Sequence, residues 1–276
     1  MVSALIKSNA KLNLSLNIVS KKKKFHEIQS LFCFIDLYDK IFISETNQKK
    51  HQVSFSGLFS RAIKRDNSIS KLLKILDKES LLKKKYKINV VKFIPQKSGL
   101  GGGSMNAASI LNFLIEKKII NLKNEIKFNI CDKIGHDTKI GLFKNLVFLN
   151  KNRLVTNIKK KLNFYVFVFK PNFSCSTKTI YSKVKNFSKP YKSLNKLLLN
   201  ISNSNNDLEE IVLKKNPGVK RALVFLKNIK GVEFVRMTGS GSCFVAYFKN
   251  KKRMEYASKL FTNKYKKYWS IMSKTI

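Results

Sequence analysis

A glycine-rich segment in the middle of the chain constrains the fold more than any other feature. Four of the eleven glycines lie within five positions, Gly99–Gly103. The residues before it, Lys87–Pro95, have the composition of a strand, and those after it, Asn106–Lys118, have the apolar spacing of a helix. Glycines let the backbone approach an anion closely, and a helix N-terminus directs N–H groups at it. The segment therefore predicts an anion-binding loop between a strand and a helix.

Two common phosphate-binding loops differ from this segment. A Walker loop ends in Gly-Lys-Ser/Thr, whereas Met105 follows Ser104 here. The dinucleotide fingerprint G-x-G-x-x-G begins at Gly99, but Ser104 stands where its last glycine belongs. A glycine-rich turn without a ligand is the alternative, although turns seldom need so many consecutive glycines.

The composition indicates a globular protein without a membrane segment. The chain has 276 residues, which suits two domains better than one, and 43% of them are hydrophobic. No apolar run approaches the roughly 18 residues that a membrane span requires. The four cysteines lie far apart without a C-x-x-C pair. This spacing argues against a zinc site or a disulfide framework and predicts a reducing cytoplasm.

The net charge of +40 raises the question of a nucleic-acid partner. Arginine accounts for only six of the 56 basic residues, and the lysines are spread along the whole chain. Abundant Lys, Asn and Ile together are what A/T-rich codons produce, so genomic bias explains the charge better. Sequence-specific nucleic-acid readers usually rely on arginine. A basic RNA-binding protein stays as the less favoured alternative.

Periodicity predicts strands and helices throughout the chain. Ala10–Ile18 alternates as a half-buried strand does, and a basic turn at Lys21–Lys24 would join it to the apolar strand Phe25–Ile35. Asp36–Lys40 is interpreted as a turn. Further strands are expected at Lys40–Glu45, Asn163–Phe169, Val232–Val235 and Ser242–Phe248, and further helices from Asp66, at Ile126–Ile134, from Ser176, from Asn206, at Pro217–Asn228 and at Arg253–Lys267. This mixture predicts an α+β fold.

Several polar residues have the chemistry that phosphoryl transfer needs. Lys11 and Asn13 lie on the same face of the first strand, and Asp137 follows a glycine-marked break. A second small-residue turn covers Met237–Ser242. A phosphate cradle, a cation and a carboxylate that takes the acceptor's proton are the required parts. A solvated strand face and a turn-forming aspartate are the alternative interpretations.

These motifs resemble those of the GHMP kinases. The strand Ala10–Leu14, the loop Pro95–Ala108 and the turn Thr238–Ser242 stand where the three motifs of that superfamily stand. The segment Phe25–Phe32 is similar to Y-H-E-[IL]-Q-[ST]-L-F of the 4-diphosphocytidyl-2-C-methyl-D-erythritol kinase family. The loop matches that family's G-L-G-G-G-S-[SA]-[ND]-A-A except at Met105. The resemblance covers nearly the whole chain, and the loop alone would indicate only the superfamily.

The resemblance implies a small-molecule kinase of two α+β domains, residues 1–155 and 156–276, with the active site in the cleft between them. ATP, with magnesium, would phosphorylate the 2-hydroxyl of 4-diphosphocytidyl-2-C-methyl-D-erythritol in the non-mevalonate isoprenoid pathway. The expected binding partner is this small molecule, and no binding to a membrane is expected. The resemblance leaves open the oligomeric state and the protein ligands of the metal. A GHMP kinase for another alcohol, such as mevalonate or homoserine, is the alternative, against which the segment Phe25–Gln29 argues.

The resemblance also implies roles for individual residues. The family's catalytic pair matches Lys11 and Asp137, with Asp137 as the general base toward the 2-hydroxyl and Lys11 stabilising the charge. The residues expected to bind the ATP phosphates are Gln96, Lys97, Ser98, Gly99, Leu100, Gly101, Gly102, Gly103, Ser104, Met105 and Asn106.

The substrate site is implied in the same way. Phe25, His26 and Tyr181 match the aromatic-histidine pair and the second aromatic of the cytosine pocket, and Asn13 would help to position the substrate. The residues expected near the substrate or its phosphates are Thr177, Gly239, Ser240 and Gly241. The chain departs from the family around the base, where Gly-Ala-Asp-Val-Pro is replaced by residues 135–139, GHDTK, and at Phe25, where the family usually has tyrosine.

Overall fold

The chain folds into strands and helices in alternating groups, which confirms the predicted α+β class. A computed structural model describes residues 3–22 and 25–276. Its elements are β1 (Ser3–Lys22), β2 (Phe25–Thr46), β3 (Gln52–Ser56), α1 (Ser68–Lys78), β4 (Lys85–Val91), α2 (Gly102–Glu116), α3 (Asn124–Ile134), β5 (Leu146–Leu149), β6 (Val155–Ile158), β7 (Tyr165–Lys170), α4 (Thr177–Tyr181), α5 (Leu194–Leu199), α6 (Glu209–Lys214), α7 (Pro217–Lys227), β8 (Phe234–Met237), β9 (Phe244–Phe248), α8 (Lys251–Lys264) and β10 (Trp269–Lys274). None of the helices in these described ranges has the length and hydrophobicity to cross a membrane.

The chain divides into two compact units, each assembled from several segments. Unit 1 consists of Met1–Lys11, Leu37–Gln96 and Gly101–Lys144, and unit 2 consists of Leu12–Asp36, Lys97–Leu100 and Asn145–Ile276. Strands β1 and β2 contribute residues to both units, and so does the glycine-rich loop. The loop therefore has to be considered as two parts, one in each unit.

In unit 1, strand β4 leads into the glycine-rich loop. It pairs antiparallel with the Lys40–Thr46 part of β2 and parallel with β3. Helix α1 begins after Asn67, whose side chain accepts the N–H groups of Ile69 and Ser70 in a capping box. The core joins the apolar faces of the strands and helices: Ile41, Ile43, Leu72, Leu76, Ile88, Val90, Ile110, Leu111, Leu114 and Ile130. This packing fixes the directions of β4 and α2, between which the loop runs.

In unit 2, an antiparallel sheet has the strand order β10-β7-β9-β8. The Ser30–Phe32 part of β2 pairs antiparallel with β5, which pairs antiparallel with β6. The core is rich in phenylalanine: Phe167, Phe169, Phe244, Phe248 and Phe261 pack with Leu16, Ile18, Leu223 and Leu226. This core supports the turn between β8 and β9, which carries the second glycine motif.

The predicted turn at Asp36–Lys40 is wrong, because β2 continues through it to Thr46. The segment alternates as a strand does: Leu37, Asp39 and Ile41 are buried, whereas Asp36 is exposed. Aspartate favours turns, but the Asp39 carboxylate is buried here and ion-paired with Lys92. A tertiary contact therefore overrides the local preference.

Two other expectations need correction. Helix α2 begins at Gly102 and not at Asn106, since Met105 N–H already donates to Gly101 O at 2.9 Å; the glycines fit there because a Cβ on Gly102 would lie 3.1 Å from Ile94 Cγ2. Strands β3, β5, β6 and β10 are short or edge strands that periodicity did not indicate. The expected turn at Lys21–Lys24 lies partly outside the described residues, since only its first two residues belong to them.

Candidate active site

Both residues expected to be catalytic meet in an ion pair within unit 1. Lys11 lies on β1, and Asp137 follows the break after α3. Lys11 Nζ lies 3.1 Å from Asp137 Oδ2, with side-chain exposures of 3% and 41%. A buried ammonium thus adjoins a carboxylate that a solute can reach. This arrangement can accept a proton from a hydroxyl group and neutralise the charge that develops.

The unit 1 part of the glycine-rich loop forms a cradle of backbone. Gly101 is the N-cap of α2 with a φ of 74°, and a Cβ there would lie 2.9 Å from Lys11 Cγ. The first intrahelical hydrogen bond runs from Met105 N–H to Gly101 O at 2.9 Å. The N–H groups of Gly102, Gly103 and Ser104 precede this first hydrogen bond, and they point outward from the helix N-terminus. This cradle, next to the Lys11 ammonium, fits a phosphate group.

Two buried polar atoms accompany the cradle. Within residues 3–22 and 25–276, Asn106 Oδ1 and Thr138 Oγ1 have no hydrogen-bond partner, although both residues are buried. A Cβ on Gly135 would lie 3.7 Å from both Thr138 Oγ1 and Ser104 Oγ. Thr138 was absent from the predicted site residues, although it directly follows Asp137. Unpartnered buried groups are costly, which makes these two atoms candidates for contacts with a bound ligand.

In unit 2, the other part of the loop contacts the second glycine motif. Cys243 N–H donates to Ser98 O at 3.0 Å, and Thr238 Oγ1 donates to Gly99 O at 3.3 Å. A Cβ on Gly99 would lie only 2.0 Å from Thr238 O. Asn13 N–H also donates to Thr238 Oγ1, at 3.0 Å. The predicted motifs that fall in unit 2 therefore meet around Thr238.

The side chain of Asn13 is part of this structure. Its Nδ2 donates to Ser30 Oγ at 2.8 Å, and its Oδ1 lies 3.3 Å from Thr238 Oγ1, whose single hydroxyl hydrogen is shared between Asn13 Oδ1 and Gly99 O. The residue is buried. Asn13 therefore connects β1, β2 and the second glycine motif, and its role toward the substrate stays a prediction.

The turn Gly239–Gly241 is held by two side chains from elsewhere in unit 2. Thr177 Oγ1 and Ser240 Oγ lie 2.9 Å apart. Asn206 Nδ2 donates to Met237 O at 2.7 Å and to Gly239 O at 2.8 Å. Thr177, like this turn, was expected near the substrate or its phosphates, which stays a prediction, whereas Asn206 was interpreted only as part of a helix start. No sequence signal connected Asn206 with a turn that follows thirty residues later.

Two of the three expected cytosine-binding residues are neighbours. The rings of His26 and Tyr181 have centroids 5.3 Å apart at an angle of 47°. Partial burial, with a contribution from Lys21, lowers the pKa of His26, which favours the neutral imidazole with one donor and one acceptor. Phe25 is exposed, and the Arg153 guanidinium lies 5.5 Å from its ring centroid. Arg153 is an addition that sequence reasoning did not find.

Some residues of the predicted phosphate loop direct their side chains into the protein. Gln96 Nε2 donates to Phe59 O and Arg61 O, both at 2.7 Å. Leu100 and Met105 are buried. Lys97 has a φ of 49°. Gln96, Leu100 and Met105 could thus contact a nucleotide mainly through backbone atoms, whereas the side chain of Lys97 is exposed; contacts of all four residues with a nucleotide stay predictions.

Comparisons with known proteins agree with this geometry. The family model described as GHMP kinases N terminal domain matches residues 67–144, and the model described as GHMP kinases C terminal matches residues 184–266. A 4-diphosphocytidyl-2-C-methyl-D-erythritol kinase of Pelagibacter ubique (strain HTCC1062) is 49% identical over 100% of both chains. One of Sulfurihydrogenibium sp. (strain YO3AOP1) is 32% identical over 86% of this chain and 88% of the relative.

Solved structures share the fold. A crystal structure of 4-(cytidine 5'-diphospho)-2C-methyl-D-erythritol kinase superposes with a TM-score of 0.81, at 20% identity, over 99% of this chain and 100% of that one. Homoserine kinase from Cytophaga hutchinsonii reaches 0.72 at 14% identity, over 99% and 94%. The full-length identity of 49% goes beyond likeness of fold. The chain therefore belongs to the 4-diphosphocytidyl-2-C-methyl-D-erythritol kinase family of the GHMP kinases.

Proposed function

We propose that this kinase transfers the γ-phosphoryl group of ATP to the 2-hydroxyl of 4-diphosphocytidyl-2-C-methyl-D-erythritol. The observation that carries the proposal is the ion pair between Lys11 and Asp137 in direct proximity to the glycine cradle at Gly101. The Pelagibacter relative, which bears this enzyme name, supports the choice of substrate.

The chemistry assigns one step to each of the paired residues. The substrate oxygen forms a bond to the γ-phosphorus, while the bond from that phosphorus to the bridging oxygen of ADP breaks. Asp137 takes the hydroxyl proton through its accessible carboxylate. Lys11 lies beside Asp137 and the cradle, where its charge stabilises the oxygens that become more negative in the transition state.

The nucleotide would bind with its phosphates on the N–H groups at the start of α2. The closely packed glycines, the buried Lys11 and the unpartnered Asn106 Oδ1 support this orientation. In the described part of the chain, no group of three or more His, Cys, Asp or Glu side chains could hold a metal ion. Magnesium at kinase sites is commonly held by one or two carboxylates and by the phosphates themselves, so it would arrive with ATP.

The cytidine part of the substrate would bind in unit 2. His26 presents a donor and an acceptor to the base, Tyr181 adjoins it, and Phe25 offers an exposed ring for stacking. Residues 1–155 and 156–276 are our proposal for the two domains of the family. We also expect the enzyme to work in the cytoplasm, which the four free cysteines support.

The test is ADP release by the purified protein with ATP and magnesium, with and without the cytidine-linked alcohol. Asp137→Asn should lower kcat by about 10²–10⁴-fold, since it removes the general base. Asp132→Asn is the matched control, because Asp132 is also a partly exposed carboxylate in unit 1 that pairs with a lysine, Lys139. This control should stay within about twofold of wild type, as expected for a surface ion pair.

Other outcomes would change the proposal in defined ways. Release of ADP with mevalonate or homoserine, but not with the cytidine-linked alcohol, would reassign the substrate. Equal activity in Asp137→Asn and wild type would refute the general base. No ADP release with any alcohol, from folded protein with salt-dependent RNA affinity, would favour the RNA-binding alternative.

A further inference from the structure

A buried ion pair lies beneath the glycine cradle in unit 1 and has no place in the chemistry described above. Asp39 lies on β2 and Lys92 directly follows β4; their side chains are 0% and 4% exposed and form an ion pair. The two oxygens of the Asp39 carboxylate have different partners. Oδ1 accepts the N–H groups of Phe93 at 2.8 Å and Ile94 at 2.9 Å, whereas Oδ2 contacts Lys92 Nζ.

The Lys92 ammonium extends from this carboxylate to the other end of the loop. A Cβ on Gly102 would lie 3.3 Å from Lys92 Nζ and 3.1 Å from Ile94 Cγ2. Asp39 thus fixes the backbone where the chain leaves β4, and Lys92 contacts the first residue of α2. Through one ion pair, the two ends of the cradle are connected.

Stability alone does not account for this arrangement. A buried ion pair gains little over apolar side chains of similar size, because both charges lose their hydration. A cation close to a helix N-terminus is also unfavourable, since that end of the helix carries partial positive charge. The ammonium lies, however, directly beside the first residue of α2, where it can act on the orientation of the helix N-terminus.

We propose that Asp39 and Lys92 are positioning residues, which hold the N–H groups at the start of α2 in the geometry that binds the nucleotide phosphates. The proposal rests on the ATP-binding part of the proposed function and is independent of which alcohol is phosphorylated. Neither residue touches the reacting atoms in this account; both act through the backbone of the loop.

The two carboxylate oxygens allow the ion pair to be altered without loss of the backbone contacts. In Asp39→Asn the amide oxygen can still accept the N–H groups of Phe93 and Ile94. The amide Nδ2, however, takes the place of Oδ2, so that two hydrogen-bond donors, Nδ2 and the Lys92 ammonium, face each other. Lys92→Met removes the charge and leaves Asp39 buried without its cation. The double variant Asp39→Asn/Lys92→Met buries no charge, although its amide NH2 group faces an apolar side chain, and it lacks the Lys92 ammonium that lies beside Gly102.

The experiment measures the melting temperature and, by calorimetry, the Kd of ATP for each variant. Both single variants should melt below wild type, because each leaves an uncompensated buried group. The double variant should recover most of that loss, yet bind ATP about 10–100-fold more weakly, since the cradle is no longer held. Lys92→Gln, which keeps a neutral donor for Asp39, should show the same loss of ATP affinity and provides the test if the double variant does not fold.

Asp77→Asn is the matched control in unit 1. It disrupts contacts with Lys85 at 2.8 Å and His51 at 3.2 Å, away from the loop, so the melting temperature should fall while the Kd of ATP stays within about twofold. Wild-type ATP affinity in the double variant or in Lys92→Gln would overturn the positioning role. Wild-type protein that binds ATP but does not phosphorylate the cytidine-linked alcohol would refute the proposed substrate alone.

Discussion

Gly99→Ala is expected to separate the glycine-rich loop from the second glycine motif within unit 2. Gly99 has a φ of +80°, and a Cβ at this position would lie 2.0 Å from Thr238 O and 2.9 Å from its carbonyl carbon. Ordinary contacts of a Cβ begin near 3.4 Å. Because the obstacle is backbone and not a flexible side chain, one of the two segments has to move by more than an ångström.

Two energetic costs follow from this geometry. A side chain in the left-handed region costs about 1–2 kcal/mol. Displacing well-packed groups to make room for the added carbon costs about 1–3 kcal/mol more. The free energy of unfolding should therefore fall by about 2–5 kcal/mol, which corresponds to a melting temperature lower by roughly 4–20 °C. Displacement of the loop by an ångström should also lower kcat/KM by about 100-fold.

Thermal unfolding followed by circular dichroism, urea unfolding and the ADP-release assay check these values. Gly218→Ala is the matched control, since Gly218 is helical and the nearest atoms to a Cβ there lie 3.9 Å away. This control should raise the free energy of unfolding by up to about 1 kcal/mol and leave activity unchanged. A Gly99→Ala protein that melts and turns over like wild type would refute the steric argument.

Three further predictions concern buried polar groups. Thr138→Val should raise the free energy of unfolding, measured by urea unfolding, by about 1–3 kcal/mol, because within the described residues the Thr138 hydroxyl lies buried without a partner. A lower stability of the variant would reveal a contact of that hydroxyl. Burial raises the pKa of Glu209, so its ionisation opposes folding, and this penalty develops as the pH rises above about 4.5. Between pH 4.5 and 7, the free energy of unfolding should therefore decline less in Glu209→Gln than in wild type. Parallel pH curves of the two proteins would contradict this. Burial raises the pKa of all four thiols, to about 12 for Cys33 and Cys131, but only Cys175 is half-buried and thus accessible to a reagent. A thiol reagent at pH 8 should therefore label only Cys175, and Cys175→Ser should abolish the labelling; rapid reaction of a second thiol would be the contrary result.

The local elements of the site could be predicted from the sequence because their signals are local. Four glycines between a strand pattern and a helix pattern indicate an anion loop without knowledge of the rest of the fold. The helix predicted from Asp66 likewise begins close to that residue, at Ser68 after the capping residue Asn67, because capping signals are local. The resemblance to the GHMP kinases added the pairing of Lys11 with Asp137, which no spacing rule would have suggested.

Residues that support the site from a distance were missed or misinterpreted. Asp39 has the composition of a turn residue, and only the approach of Lys92 from β4 makes it a strand residue with a buried carboxylate. Asn206 holds the second glycine turn through two backbone carbonyls, although nothing in its neighbourhood in the sequence refers to that turn. Arg153 reaches the ring of Phe25 from an irregular segment.

The sequence by itself determined the glycine-rich loop, most of the helices, the longer strands and the family that the chain resembles, since backbone preferences and hydrophobic periodicity act over a few residues. The tertiary structure alone decided that Lys11 lies 3.1 Å from Asp137, that Gly99 leaves no space for a side chain against Thr238, and which polar groups are buried. These contacts join residues more than a hundred positions apart, and their energies depend on burial and on partners that only the packed chain brings together.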